Sequence, residues 1–476
     1  MSSVPRWRRL LVEPPRPGRV RESSWGPWLV VGTVCVGAFM GQLDASIVTL
    51  ALPTLRQQFN ASLGAIEWVA LAYLVVLVGS VTVVGRLSDM TGRKLLYTYG
   101  FGLFTVGSVL CGLAPNLLFL DAARVLQALG AAMLQANSVA LITHAVPRDK
   151  LGRGIGIQGA AQAVGLALGP AVGGLLIGLG GWRLIFFVNV PAGIIGIVLG
   201  WFLLPRTRDR AEGERFDWPG AVLLLPAVGL VMAGLSFGRE QGWTSPIIVF
   251  LLAAGVLTGI AFVLRERVAT HPMVRLDLFK RHAFSAGISS GLLSYLVTFG
   301  VLFAVPFFLL SRHTSLALAG LQLTVLPAAL AVVAPFAGRL TDSVGARPVT
   351  TAGMLLTAAA LLALALAHSS LPGLLLELAA VGAGLGAFTP ANNAAIMGSA
   401  PRAQAGVAGG ILNMSRGMGT SLGVALTGLV FSLAADADRG LLYAGLFLAA
   451  VSLLAAALAA LRGPVSREHM IRVLVE

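Results

Sequence analysis

Apolar stretches of about 20 residues follow one another from Trp28 to Leu461, and this feature limits the possible folds more than any other. A helix of about 20 residues spans the hydrocarbon core of a bilayer, because each residue adds about 1.5 Å of rise. The chain is 57% hydrophobic and only 11% charged, whereas soluble domains carry about 25% charged residues. The sequence therefore predicts an all-α integral membrane protein that crosses the bilayer many times.

The apolar stretches predict fourteen transmembrane helices. We place them over residues 27–55, 66–86, 95–113, 117–144, 154–178, 183–204, 217–237, 246–264, 283–310, 318–338, 349–368, 371–398, 404–432 and 440–462.

The Lys and Arg residues predict the orientation of these helices. If the N-terminus lies inside, the inner segments hold 27 of the 34 Lys and Arg residues and the outer loops hold five, while Arg124 and Arg416 fall within helices. Basic residues accumulate on the cytoplasmic side of membrane proteins. We therefore predict a protein of the cytoplasmic membrane with both termini inside, whose net charge of +14 reflects topology and lipid contact rather than nucleic-acid binding.

Two segments of the chain are near copies, 253 residues apart: GRLSDMTGRK begins at Gly85 and GRLTDSVGAR at Gly338. GLALGPAVGG at Gly165 and GTSLGVALTG at Gly419 repeat at nearly the same offset. Such repeats are typical of transporters with a substrate site between two halves. We predict a basic tail over 1–25, a six-helix bundle over 26–205, two inserted helices with linkers over 206–282, a second six-helix bundle over 283–463 and a tail over 464–476.

We interpret the duplicated segment as a gate loop on the inner side. Gly85 and Gly92 would allow tight turns, and Asp89 would meet a helix N-terminus or an arginine. A charged turn that only follows the charge bias is the alternative, and the duplication favours the gate. The remaining predicted gate residues are Arg93, Lys94, Asp342 and Arg347.

These motifs resemble the major facilitator superfamily, and in particular its fourteen-helix drug:proton antiporter family. GRLSDMTGRK is similar to the loop-two motif, and QLDASIVTLALP, residues 42–53, is similar to the helix-one signature. GLALGPAVGG, residues 165–174, resembles the antiporter motif of helix five, and GWRLIFFVNVPAG, residues 181–193, resembles the start of helix six. The chain departs from the family pattern at Met90, Ala128 and Val424, where a basic residue, a glycine and a proline are expected.

The resemblance implies a major facilitator fold and a proton-driven exporter of lipophilic, often cationic drugs that works by alternating access without a cofactor. In the antiporter motif, close packing at the glycines would form a gate against proton leak, and Pro170 can kink the helix. Tight packing without a gating role is the alternative. The motif residues are Gly165, Gly169, Pro170, Gly173 and Gly174.

Four charged residues lie within predicted helices: Asp44, Arg124, Glu377 and Arg416. A charge at the centre of an inserted helix costs about 2.5–3.5 kcal/mol, so each should face a partner or a cavity. Asp44 lies about 24 Å from the inner end of helix one and Arg124 about 10 Å from the outer end of helix four, so the two share one depth. We predict that Asp44 carries the proton, that Arg124 tunes it and that a cationic or lipophilic substrate competes for the carboxylate; a fixed polar contact that holds helix one is the alternative. Glu377 is the other candidate for the main protonation site. For Arg416, an inner cavity and a carbonyl partner remain equal alternatives.

A substrate cavity would use polar and aromatic side chains between the halves. Interhelical hydrogen bonds, or lipid contact for the aromatic stripe of helix nine, are the alternatives. The predicted cavity residues are Gln42, Tyr73, Gln127, Gln162, Phe299, Phe303, Phe307, Phe388, Asn392, Asn393 and Arg416.

The sequence favours a transporter over an enzyme or a receptor. No phosphate-binding loop is present, and the six histidines lack metal-ligand spacing. We expect a monomer with small lipophilic or cationic substrates, protons and membrane lipid as partners. Export of an endogenous metabolite, lipid or siderophore is the first alternative, and a non-transporting receptor or scaffold is the second.

Overall fold

The computed structural model describes residues 13, 16–21, 23–147, 151–207, 218–269, 276–367, 370–399 and 405–461, and the regular structure within them is helical. A one-turn helix at Gly18–Arg21 precedes the first long helix, and a 3-10 turn at Leu276–Lys280 precedes the ninth. The long helices, numbered in chain order, are α1 (Gly26–Phe59), α2 (Leu63–Thr91), α3 (Arg93–Gly112), α4 (Leu117–Ala145), α5 (Leu151–Gly180), α6 (Leu184–Phe187 and Asn189–Leu203), α7 (Trp218–Gln241), α8 (Pro246–Val268), α9 (His282–Ser311), α10 (Leu316–Val344), α11 (Ala346–Ala367), α12 (Leu371–Ser399), α13 (Ala405–Ser432) and α14 (Ala437–Ala460).

Twelve helices in the described residues are long and apolar enough to cross a membrane. α7 contributes a shorter apolar stretch, Val222–Gly238, and α13, which contains Arg416, is not among the twelve. Large apolar side chains such as Phe202, Phe250 and Phe336 are exposed on the surface of the bundle. Exposed apolar surface of this extent is suited to lipid, and the chain is a multi-pass membrane protein.

The helices before and after the α7–α8 pair pack in the same order. α1 packs on α5, α2 on α4, and α3 on both α4 and α6. The corresponding pairs after α8 are α9 with α13, α10 with α12, and α11 with both α12 and α14. The two sets of six helices meet where α2 packs on α13 and where α5 packs on α10. The repeat in the sequence thus has a counterpart in the packing.

Contacts between helix ends define two sides of the bundle. Arg16 Nε donates to the Leu203 carbonyl at 2.6 Å, so the end of α6 lies beside the segment that precedes α1; we call this the termini side. Arg183 donates to the Ala114 carbonyl at 3.3 Å, so the end of α3 and the start of α6 lie on the opposite, far side. Gly320 of α10 also lies against the Pro170 carbonyl of α5 there, which brings the two six-helix sets into contact on the far side.

Helix α7 lies over the seam between the two sets, because it packs on both α2 and α13. Leu225 of α7 fills the space beside Gly79, and the rings of Trp68 and Phe237 stack at 6.3 Å. α8 packs on α7 and exposes Phe250 and Leu257. The inserted pair therefore covers one seam of the bundle and presents its outer helix to lipid.

The segments predicted as inner gate loops are helical, so the prediction of a loop there is wrong, while their gating role stays a prediction. Residues 85–91 form the last turns of α2, and residues 338–344 form the last turns of α10. One glycine joins each helix to the next: Gly92 has φ of +115° and Gly345 has φ of +87°. A residue with a side chain is strained at such angles, so glycine allows each helix pair to be joined through one residue.

The other predicted gate residues lie around these glycines. Arg93 and Lys94 begin α3, and Arg347 is exposed in the first turn of α11. The side chains of Asp89 and Asp342 lie outside the part of the chain that the structure describes.

The prediction of one continuous helix over 183–204 is wrong at Val188, where α6 is interrupted. Pro191 has no backbone N–H, so the Phe187 carbonyl lacks its usual donor four residues later. The interruption places Asn189 at the start of the second segment, where its side chain reaches α1.

Candidate functional site

A buried ion pair joins α1 and α4. Arg124 Nη1 donates to Asp44 Oδ2 at 2.7 Å, and the two side chains are 1% and 0% exposed. The pair lies at the common depth that helix rise predicts for the two residues. A charged pair removed from water is stable only when further hydrogen bonds satisfy both groups, and the surrounding residues supply them.

Three donors from two helices satisfy the Asp44 carboxylate. Arg124 occupies Oδ2, while Gln127 Nε2 and Asn189 Nδ2 each donate to Oδ1 at 2.9 Å. Gln127 Nε2 also donates to Ser108 Oγ at 2.8 Å, which ties α4 to α3. Charge-assisted hydrogen bonds of this kind stabilise the ionised carboxylate in the position observed.

The Arg124 guanidinium is held from several directions. Its Nε donates to the Val69 carbonyl of α2 at 2.8 Å, and its Nη1 also donates to Gln127 Oε1 at 2.6 Å. The Tyr73 ring lies 4.2 Å from its central carbon and provides a cation–π contact. One side chain therefore connects α1, α2 and α4 through charge, hydrogen bonds and an aromatic face.

A cavity of about 70 Å³ lies beside this ion pair, between the two six-helix sets and toward the termini side. Tyr73 and Ala45 line it, and both are next to the ion pair in space or sequence. Its other lining residues are Gly37, Ala38, Gly41, Gln42, Leu74, Leu77, Ala131, Leu134, Gln135, Ser138, Gln162, Tyr295, Phe299, Arg416, Gly417 and Thr420.

Five of the predicted cavity residues line this space: Gln42, Tyr73, Gln162, Phe299 and Arg416. They come from α1, α2, α5, α9 and α13, so both six-helix sets contribute. Gln127 belongs instead to the hydrogen bonds around the ion pair.

The other predicted cavity residues are not among the residues that line it. Phe303 and Phe307 lie one and two turns farther along α9, where the rings of Phe307 and Phe431 are 5.8 Å apart. They leave the cavity because it lies toward the termini side, whereas α9 continues toward the far side.

The amide and aromatic candidates on α12 serve helix packing. Phe388 is fully buried where α12 meets α11, and its backbone lies against Gly353. Asn392 Nδ2 donates to the Gly287 carbonyl of α9 at 3.1 Å. Asn393 is partly buried on the same helix and does not line the cavity.

The structure does not bring Glu377 to the ion pair. It is 8% exposed on α12, a helix that packs on α9, α10 and α11 of the second set. Glu377 follows Arg124 by 253 residues, which is the offset of the sequence repeat, so it lies in the second six-helix set rather than beside Asp44. A role for Glu377 in proton coupling stays a prediction.

The antiporter motif on α5 faces two helices at once. A side chain at Gly165 or Gly169 would overlap the Phe39 carbonyl or Ser46 Oγ of α1, and Gly173 faces α1 as well. On its other face, Pro170 and Gly174 meet Gly320 of α10. The glycines therefore let α5 pack closely on the helix that carries Asp44.

Sequence reasoning missed three polar residues near the site. Asn189 lies inside the apolar segment predicted as one helix over 183–204, and the interruption in α6 places it at the start of the second segment, where it reaches Asp44. Glu67 and Asp121 lie in the first turns of α2 and α4, where carboxylates are common. Yet Glu67 is 2% exposed and its carboxylate lies against Gly428 of α13, and Asp121 Oδ1 is buried one turn from Arg124.

Comparisons with known proteins identify the family. The Major Facilitator Superfamily model matches residues 34–273 and 287–472. The chain is 34% identical over 414 residues to the riboflavin transporter RibZ of Clostridioides difficile, covering 85% of this chain and 88% of that protein. It is 34% identical over 409 residues to the tetracenomycin C resistance and export protein of Streptomyces glaucescens, covering 85% and 76%.

Solved structures with the same fold include a bacterial transporter homologue. It is a bacterial homologue of the human lysosomal transporter Spinster, crystallised in an inward-facing, unoccupied conformation, with a TM-score of 0.67 and 16% sequence identity. The match covers 92% of this chain and 97% of that one. The chain belongs to the major facilitator superfamily and is a membrane transporter rather than an enzyme.

Proposed function

We propose that the protein is a monomeric, proton-coupled antiporter that exports lipophilic compounds across the cytoplasmic membrane. In this proposal fourteen helices span the bilayer, the termini side is cytoplasmic and no cofactor takes part. The buried Asp44–Arg124 pair beside a cavity between the two six-helix sets is the observation that supports it best. An intramembrane ionisable residue that borders a cavity is suited to proton relay.

Protonation of Asp44 would change the contacts that hold α1. A neutral carboxyl loses the charge attraction to Arg124, which weakens the link between α1 and α4. Asn189 suits both states, because its Nδ2 now donates to the carboxylate while its Oδ1 is buried with no partner among the described residues. Rotation of the Asn189 side-chain amide would let Oδ1 accept a hydrogen bond from the protonated Asp44 carboxyl group.

The proton site and the cavity share the residues that would couple them. Tyr73 contacts Arg124 and also lines the cavity, so a substrate that moves Tyr73 would disturb the ion pair. The sequence predicts a lipophilic cation that competes for Asp44, and the relative named as a tetracenomycin C resistance and export protein supports a substrate to which export confers resistance. Alternating access would then exchange one substrate leaving for protons entering.

Transport of an endogenous metabolite is the second candidate. The riboflavin transporter RibZ is 34% identical to this chain, and Tyr73, Tyr295 and Phe299 give the cavity aromatic surfaces that suit a flat ring system. The proton mechanism would be the same. Because this chain belongs to a transporter family, a role as a non-transporting receptor or scaffold is disfavoured.

Reconstituted vesicles test the proposal. Vesicles with an imposed proton gradient should accumulate ethidium or an antibiotic from a susceptibility panel, and a protonophore should abolish accumulation. Asp44→Asn should lose gradient-driven transport, because the amide cannot carry a proton. Riboflavin in the same assay tests the second candidate.

A matched control separates this role from a general effect of charge removal. Asp438→Asn removes a carboxylate that is 54% exposed and pairs with Arg312 on the surface, so it should transport like the wild type. Full transport by Asp44→Asn with unchanged proton flux would contradict the proposal, as would accumulation that follows ATP and ignores the gradient.

A further inference from the structure

The cavity contains a charged side chain that the proton mechanism does not use. Arg416 of α13 lines the cavity, and its guanidinium carbon lies 5.5 Å from the Tyr295 ring centroid. Its Nη1 is 3.4 Å from Asn413 Oδ1, a long hydrogen bond within one helix turn. Its Nε is buried and has no hydrogen-bond partner in the described part of the chain.

The contrast with Arg124 shows what Arg416 lacks. Arg124 has a carboxylate at 2.7 Å, two oxygen acceptors and an aromatic face. Arg416 has an aromatic face and one distant amide oxygen, and no ion pair to it occurs among the described residues. A guanidinium has five donors in a planar fork that matches a carboxylate or phosphate, and the hydrogen bond to Asn413 uses one donor of Arg416.

The charge balance of the cavity follows from these contacts. Arg416 is the sole charged residue among the cavity-lining residues named above. Asp44 and Arg124 compensate each other, and the three donors on Asp44 leave little of its carboxylate for a substrate. The cavity therefore presents one uncompensated positive charge beside aromatic rings.

We propose that the cavity binds planar aromatic anions, or neutral aromatic compounds with a strong acceptor such as a paired carbonyl, through Arg416. The carboxylate, phenolate or carbonyl oxygen would accept from Nε and the terminal nitrogens, while the ring system packs against Tyr295, Phe299 and Tyr73. The Gln42, Gln135 and Gln162 amides supply neutral donors and acceptors around the ring. A lipophilic cation is disfavoured in this state, because it would approach a like charge in a site of low dielectric.

This inference rests on the proposed transport function and names the substrate class of the same cavity. The substrates proposed for the cavity are anions or acceptor-rich compounds instead of the cations that the sequence predicts. Binding to purified protein without a gradient tests it separately from proton coupling.

Two dyes of similar ring size and opposite charge form the probe pair. Fluorescein is an anionic xanthene and rhodamine 6G is a cationic one, and fluorescence anisotropy of each can be titrated with the full-length protein in a neutral detergent, with empty micelles subtracted. The wild type should bind fluorescein about tenfold more tightly than rhodamine 6G, since a charged hydrogen bond adds that much affinity. Arg416→Gln should weaken fluorescein binding about tenfold and leave rhodamine 6G unchanged or tighter, while Arg416→Lys should keep part of the preference.

Arg56→Gln is the control, because Arg56 is exposed near the end of α1 and is not a cavity-lining residue. It should keep the dye preference of the wild type. Equal binding of the two dyes, tighter binding of rhodamine 6G, or no binding of either dye would overturn the proposal. So would an Arg416→Gln protein that loses transport yet keeps the preference for fluorescein, since Arg416 would then serve a conformational change rather than a ligand.

Discussion

The Asp44 carboxylate and the Arg124 guanidinium stabilise the bundle only as a pair. Each is completely removed from water, and each depends on the other for its strongest hydrogen bond. Loss of one partner from a buried pair costs about 3–5 kcal/mol, because the remaining charge is left uncompensated. Replacement of both charges can cost much less.

This asymmetry gives the first prediction. Arg124→Gln should lower the free energy of unfolding by about 3–5 kcal/mol, since Asp44 keeps only its two amide donors. The double variant Asp44→Asn, Arg124→Gln should regain most of that stability but no proton-driven transport. Thermal unfolding in detergent measures the stability of each variant, and uptake into vesicles measures its transport. A double variant that is less stable than Arg124→Gln alone would contradict this account.

For single residues, the sequence predicts how deep a side chain lies in the membrane but not the direction in which it points. Helix rise is constant, so the number of residues from each helix end places Asp44 and Arg124 at one level. The angular position of a side chain depends on how each helix rotates in the bundle. For that reason the buried contacts of Asn189 and Glu67 are not evident from the sequence. Phe303 and Phe307 leave the cavity because it lies toward the termini side, whereas α9 continues toward the far side.

At the scale of elements, the segment before α1 is part of the helix packing on the termini side. Glu13 is 2% exposed, and its carboxylate accepts from the Thr207 backbone N–H at 2.7 Å and from the Thr207 hydroxyl at 3.0 Å. Thr207 Oγ1 in turn accepts from the N–H groups of Arg93 and Lys94 at 2.9 and 3.2 Å. One hydroxyl thus links the end of α6, the start of α3 and the N-terminal segment.

Helix starts leave N–H groups without partners inside the helix, and Thr207 supplies an acceptor for two of those in α3. Thr207→Val should therefore destabilise the fold by about 1–3 kcal/mol through buried unsatisfied groups. It should also free the segment around Arg16 from its contact with Leu203 and speed tryptic cleavage after Arg19 and Arg21. Thr207→Ser keeps the hydroxyl and should match the wild type in both cleavage rate and unfolding temperature. Equal cleavage of the valine and serine variants would show that Glu13 holds the segment without Thr207.

The sequence specifies the elements better than their connections. Apolar length places most helices to within a few residues, because the bilayer sets that length. It does not show that residues 85–91 remain helical, since a charged segment on the basic side resembles a loop. Nor does it reveal the interruption at Val188, which depends on Pro191 in a segment that is apolar throughout.

At the scale of the whole molecule, the two six-helix sets touch on the far side, and the cavity lies toward the termini side. Gly320 against Pro170 and Gly428 against Glu67 are two of the far-side contacts between the sets. Alternating access requires these contacts to open while others close. The absence of a side chain at Gly320 is therefore expected to favour the state in which the far side is closed.

Substitution of Gly320 tests this expectation. A Cβ there would overlap the Pro170 carbonyl, and overpacking of this kind costs about 1–3 kcal/mol, which shifts a two-state ratio about fivefold or more. Gly320→Val should therefore populate the state that is open on the far side.

Cysteine labelling measures this change. With Cys35 and Cys111 replaced, a cysteine introduced at Ala45 of the cavity should react at least about fivefold faster in Gly320→Val with a membrane-impermeant maleimide added from the far side. Gly178→Val is the matched control, because a Cβ at Gly178 on α5 meets no atom within 4 Å. If the two variants label at the same rate while both remain folded on gel filtration, the contact at Gly320 does not hold the far side closed, and Glu67 against Gly428 becomes the next contact to test.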